Sequence, residues 1–208
     1  MSLNLPEGGS GNFVPYLKYN GKSGRMFYRR EGTKDDVELQ TPFKMALDFA
    51  SIQTGWVAFP PGGIPIKRWD PSLATEAPNP EPSNDKCKRG FRLLVHVGLK
   101  GVGLRELMST AGVVLEPVKA LYETWEQHGN RDEVPVVIFD GAEAVKGTHG
   151  TNYKPIFAIE KYVPRVKVPG FDVLPTPTGP ITFAEQGSSP PPRDEDFQGD
   201  DIEDDIPF

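Results

Sequence analysis

One amphipathic helix stands in a chain whose other regular segments read as strands, and that imbalance limits the folds open to it. Glu116 to His128 place Val118, Leu121, Tyr122 and Trp125 at helical spacing, so one face is suited to packing on a sheet. Pro117 suits the first turn and Gly129 follows the end, the usual asymmetry of helix termini. Before the helix, Phe43, Met45, Leu47 and Phe49 alternate with Lys44, Ala46 and Asp48, a period of two that marks a half-buried strand. Gly55 is expected to break it, and Trp56 to start the next segment. Phe91 to Leu99 reads as a buried strand. Gly101 to Gly112 is ambiguous, with a short helix expected at Leu104 to Met108. After the helix, Val134 to Phe139 and Tyr153 to Val163 read as two more strands. Near the start, Phe13 to Tyr19 and Arg25 to Arg30 are joined through Asn20-Gly21, a hairpin signal.

Strands, one helix, then two strands is the order of a five-stranded oligonucleotide-binding (OB) barrel, whose helix lies between the third and fourth strands. Residues 41–51, 55–69 and 90–98 would supply the first three strands. Residues 134–145 and 153–163 would supply the last two. The expected fold class is all-β or α+β: an OB-like five-stranded barrel with one helix, an extra N-terminal hairpin over 13–30 and a disordered acidic C-terminal tail. A different small barrel or an α+β sheet fits the same order. Phe43, Phe49, Phe91, Trp125 and Phe139 are assigned to the core, and His96, inside an apolar strand, is expected there too.

Proline and glycine set the domain limits. Each numbers 22 among 208 residues, and the prolines gather over 71–82 and after 164. The connection from Asp70 to Arg89 is long enough to be functional or disordered. Residues 1–11 read as a flexible lead-in, 12–174 as the folded domain, and 175–208 as a linker and acidic tail too poor in apolar surface to fold alone. Charge divides at a similar place. The chain carries −6, but Asp194 to Phe208 hold eight acidic residues and no basic one, which leaves the remainder at +2. A mildly basic body with an acidic tail fits a polyanionic ligand and a separate protein partner. Cys87 is the only cysteine, so no internal disulfide can form. The N-terminus is polar and Gly-rich, unlike a signal peptide, and the apolar runs are too short to span a bilayer. A cytoplasmic protein without membrane contact is expected.

Binding single strands without sequence choice needs cations along the phosphates and aromatic faces on the bases, with stacking worth roughly 1–3 kcal/mol per base. Arg25-Met26-Phe27-Tyr28-Arg29 supplies both. On a strand, Arg25, Phe27 and Arg29 share one face, suited to a ligand, while Met26 and Tyr28 point to the core. Tyr16 and Lys18 form a similar pair on the neighbouring segment. Lys67, Arg68 and Trp69 form a third cluster beside the long loop, with Trp56 as a further candidate. Lys146, Tyr153 and Lys154 flank the loop between the last two strands, which in OB barrels closes over the ligand.

The chain closes on five carboxylates and an apolar tip, ending Asp204-Asp205-Ile206-Pro207-Phe208. This terminus resembles the acidic tip of bacterial single-stranded DNA-binding proteins. Their phage counterparts also often end in an acidic tail with a terminal aromatic. The likeness covers the tail and not the body, which favours a phage-encoded version. It implies binding of single-stranded DNA in replication, recombination and repair, in the bacterial cell or in host cytoplasm if phage-encoded. It also implies recruitment of DNA-processing enzymes through Asp204, Asp205, Ile206, Pro207 and Phe208. A homo-oligomer is compatible with this reading.

No enzyme is expected. His96, His128, His149 and Cys87 lack zinc spacing. Gly98 to Gly103 lacks the Gly-Lys-Ser/Thr ending of a phosphate loop, and no Gly-x-Ser-x-Gly elbow occurs. The dense carboxylates lie in the tail, so no metal or cofactor is expected. The alternative function is an adaptor: the body binds a protein, and the acidic tail mimics DNA or keeps the chain soluble.

Overall fold

The computed structural model describes residues 14–30, 32, 33, 35–58, 66–81, 87–147 and 150–171. The expected lead-in, the tail with Asp204 to Phe208, and both domain limits lie outside these residues. Among the described residues, nine strands form one curled, open sheet, a half-barrel with a single α-helix. In chain order they are β1 (Tyr16–Asn20), β2 (Arg25–Arg29), β3 (Asp36–Glu38), β4 (Phe43–Ala58) and β5 (Ile66–Trp69). β6 (Lys88–Val97), β7 (Gly103–Ser109), α1 (Gly112–His128), β8 (Glu133–Gly147) and β9 (Gly150–Pro164) complete the set. The sheet runs β3-β2-β1-β7-β6-β4-β8-β9, with β5 beside β4. β1 and β7 are parallel, and the other pairs are antiparallel.

β4 is the hub. Its first half pairs with β8 through Phe43 and Phe139, its second half with β5 through Gly55 and Trp69, and β6 lines its other side. A break in register lets it bend. Asp48 faces Leu94 and Gln53 faces Arg92, so residues 49–52 oppose Leu93 alone. Ser51 bridges the gap. Its hydroxyl donates to the Asp48 carbonyl at 2.7 Å and accepts from the Leu94 N–H at 2.9 Å. Such a bulge increases local twist and curls the sheet.

The main core fills the inside of the curl. Leu17, Met26, Phe43, Met45, Phe91, Leu93, Leu107 and Phe139 meet the helix residues Val114, Val118, Leu121 and Trp125 there. Phe49, Tyr122 and Trp125 form a ring cluster with centroids 5.6–5.7 Å apart. The Trp125 indole donates to the Glu133 carbonyl at 2.8 Å and ties α1 to β8. All five aromatics assigned to the core are buried. Ala46, Val134, Val168 and Phe171 form a smaller cluster with Leu94 and Leu104. It lies on the outer face, and residues 165–171 cover it. His96 is half-buried opposite Ala46 and Leu104 on this face, and burial pushes its pKa below the usual value. The Arg165 guanidinium holds this segment by reaching both oxygens of the fully buried Asp48 at 2.9 and 2.8 Å.

Several expectations need correction. The sheet has nine strands, not five. The extra N-terminal hairpin extends the same sheet, because β1 pairs beside β7. Leu104 to Met108 is strand β7, with Arg105 and Leu107 buried. The helix begins at Gly112, which puts Pro117 inside it rather than in its first turn. Residues 43–51 and 55–58 belong to one strand, so 55–69 is not a separate second strand. Gly55 does not end β4, and its lack of a side chain lets β5 approach. A Cβ there would lie 2.4 Å from the Arg68 carbonyl and 2.8 Å from the Trp69 ring. Among the described residues, no helix is long and apolar enough to cross a membrane.

Candidate nucleic-acid interface

Alternation along β1 and β2 separates a core face from an outer face. Leu17 and Met26 are buried and Tyr28 packs on the core, while Tyr16, Lys18, Phe27 and Arg29 turn outward. Lys18 and Phe27 are cross-strand partners, so cation and ring stand side by side. Lys67 reaches over from β5. Its ammonium lies 5.5 Å from the centroid of Tyr16 and 3.3 Å from the hydroxyl. These five residues, with Met108 and Asp36, line one groove of about 430 Å³. Tyr16 is 36% exposed, so its ring is accessible to a ligand.

The same face continues across the sheet. Met108 is the register partner of Arg92 on β6, and Arg92 is the partner of Gln53 on β4. Cross-strand partners project to one side. The Arg92 guanidinium lies 4.7 Å from the Trp69 centroid and donates to Gln53 at 2.7 Å, with Glu106 at 3.5 Å. Phe27, Lys18, Met108, Arg92 and Trp69 therefore share one face from β2 to β5. Arg92 and Met108 were not among the predicted residues. The signal was there: a polar residue between Phe91 and Leu93 in an apolar strand points away from the core.

The other predicted residues are placed differently. Arg25 sits beyond the groove, paired with Glu38 at 2.9 Å. Trp56 is a structural pin rather than an open platform. Its indole donates to the Ala77 carbonyl at 2.8 Å, and Arg89 lies 5.4 Å from its ring. Arg68 is exposed opposite Trp56. Lys146 is exposed near the β8–β9 turn. Tyr153 joins the two ends of the curl: its N–H donates to the Gly21 carbonyl at 2.8 Å, and its carbonyl accepts from the Tyr19 hydroxyl at 2.9 Å. Burial pushes that hydroxyl's pKa up to about 12. Gly24, at φ +72°, packs so closely on Tyr153 that a Cβ would meet it at 3.0 Å. Lys154 pairs with Glu116 at 3.2 Å and lines a separate groove between α1 and β9.

Asp70 organises the loop at the open end of β4 and β5. It accepts from Arg89 and from the Ala77 N–H, both at 2.8 Å, and from the Thr54 hydroxyl. Burial raises its pKa, but these hydrogen bonds and the Arg89 charge outweigh it and bring the value from 3.8 down to about 2. A carboxylate depressed in this way contributes its stability above its unfolded pKa and loses it as pH falls through the folded value. The contribution is about 2 kcal/mol, from about 1.4 kcal/mol per unit. The stability advantage of the native chain over Asp70→Asn in urea unfolding is therefore expected to narrow from about pH 4 downward. An advantage unchanged down to about pH 2.5 would contradict this account.

No protein-family model, curated protein or solved structure matches the chain.

Proposed function

We propose that this chain is a bacteriophage-type single-stranded DNA-binding protein, gripping the strand on the outer face of β2, β1, β7 and β6 without sequence choice. The observation that carries this reading is the gathering of Tyr16, Lys18, Phe27, Arg29 and Lys67 round one groove. Such a mixture serves both halves of a nucleotide, rings for the base and cations for the phosphate.

Connectivity supports it. β4, β6 and β7, then α1, then β8 and β9 follow the order of an OB barrel, with the other strands as additions. OB domains bind oligonucleotides on the face of strands two and three and with the loops after strands one and four. In this alignment strands two and three are β6 and β7, which carry Arg92 and Met108. The loop after strand one carries Lys67 and Trp69, and the loop after strand four adjoins Lys146.

The acidic terminus then recruits replication, recombination or repair enzymes through Asp204, Asp205, Ile206, Pro207 and Phe208, in bacterial or host cytoplasm. The chain acts by binding, without catalysis. Titration with an unstructured oligonucleotide of about 16 nucleotides, the upper end of OB site sizes, tests the first part. Emission from Trp69 should be quenched, and affinity should fall steeply between about 50 and 200 mM salt. No quench and no mobility shift at the lower salt would sink the proposal. A chain ending at Gly199 should still coat the strand but no longer bring an enzyme to it. Unchanged recruitment would remove the tail from the account.

One observation favours the adaptor reading. Lys18, Arg25 and Arg29 each already face a carboxylate of β3, as in a surface built to meet protein. The same titration separates the two, because an adaptor ignores the oligonucleotide.

A further inference from the structure

We propose that Asp36 stands in, in the free protein, for one phosphate of the bound strand, and that binding exchanges the carboxylate for a phosphodiester. The inference rests on the strand-binding reading above. Asp36 lies on the groove wall beside Tyr16, Phe27 and Lys67. One of its oxygens accepts from Arg29 Nε and Nη2 at 3.2 and 3.1 Å, and the other lies 3.7 Å from Lys18 Nζ. A guanidinium on one oxygen and an ammonium near the second is also how two non-bridging phosphate oxygens are held. The cation pair is thus already set at anion-binding geometry, with aromatic rings alongside.

The strand that carries Asp36 suits a displaceable partner. β3 has three residues and is the last strand at its end of the sheet path. Its cations keep contact with solvent, with Lys18 at 64% and Arg29 at 52% side-chain exposure. Exposed ion pairs contribute little to stability, so exchanging one anion for another is nearly balanced. Glu38 repeats the arrangement with Arg25. Once displaced, Asp36 gathers counterions from solvent, which offsets part of the release that drives phosphate binding. The native chain therefore has a shallower salt dependence than its cations alone would give it.

Asp36→Asn tests this, with oligo(dT) as the probe and the full chain throughout. The variant should bind about two- to tenfold tighter at low salt. Its plot of log affinity against log salt should steepen by about 0.7 for each cation released from the carboxylate. Glu123→Gln removes the same charge from α1, where the carboxylate faces Lys119 at 3.7 Å, and should change neither quantity. If Asp36→Asn fails to fold, Asp36→Ser, on the same β3 position, should tighten binding and steepen the slope in the same way. Native binding with no gain in either β3 variant overturns the exchange and leaves the strand-binding reading standing. Equal gains in Asp36→Asn and Glu123→Gln also overturn it, because net charge would then explain them. No binding by any of these proteins overturns both.

Discussion

Replacing Asp48 with Ala is expected to destabilise the fold by about 3 kcal/mol, near the lower end of the range for breaking a buried ion pair. Asp48 is fully buried and the Arg165 side chain is 20% exposed. Removing the carboxylate leaves a guanidinium partly desolvated with both of its best acceptors gone. Water can reach that guanidinium, which keeps the cost from the upper end. The lost contact also holds residues 165–171, whose Val168 and Phe171 cover Ala46 and Leu94. A melting temperature lower by roughly 6–12 °C follows for a domain of this size. The pair Asp48→Leu with Arg165→Met should recover most of the loss, because replacing both partners by apolar groups removes the desolvated charge. A single variant that melts within about 2 °C of the native chain would show that the bulge holds its shape without this bridge.

The same carboxylate marks where sequence reading stopped. Phe43 to Phe49 announces its strand by strict alternation, and every expected core aromatic is buried. Nothing local, however, tells that Asp48 on that strand meets an arginine 117 positions away. Gly55 misled for a related reason. A glycine in a strand pattern reads as a break, but here it makes room for Trp69 on a neighbouring strand. The ambiguous stretch that holds β7 has Arg105 and Glu106 between its apolar positions, so no clean strand period shows. The structure buries Arg105 under Tyr28, with its guanidinium 5.8 Å from the ring centroid. A buried arginine cannot be told from a solvated one by sequence spacing. Long-range partners decided each of these cases.

The candidate face divides along the same line. Tyr16, Lys18, Phe27 and Arg29 were legible because alternation within one hairpin assigns faces without tertiary information. Lys67 joined them through its place near Trp69. Trp56 shows the limit, because composition gives an aromatic the same look whether its edge is open or donates to a backbone carbonyl. The acidic partners of the groove were also hidden. Asp36 and Glu38 lie in a short polar segment with no strand signal, and pairing with β2 is what orders them opposite the cations.

Removing both groove rings should weaken single-strand binding about 30-fold or more. Each stacked base contributes roughly 1–3 kcal/mol, and about 1.4 kcal/mol is a factor of ten. Tyr16→Ala with Phe27→Ala deletes the two rings on β1 and β2 and leaves Lys18, Arg29 and Lys67 in place. The cation count on the phosphates is then unchanged, so the salt slope should keep its native value while affinity falls at every salt concentration. A Lys18→Ala and Arg29→Ala double variant should do the reverse, flattening the slope by about 0.7 for each cation that contacts a phosphate. Tyr122→Phe, which removes a hydroxyl bonded to Glu126 on the helix, should leave both quantities alone. The two sets of variants separate stacking from charge on one surface. If the ring variant binds as the native chain does and melts at the same temperature, the bases are held elsewhere. The groove would then be only a track for the backbone.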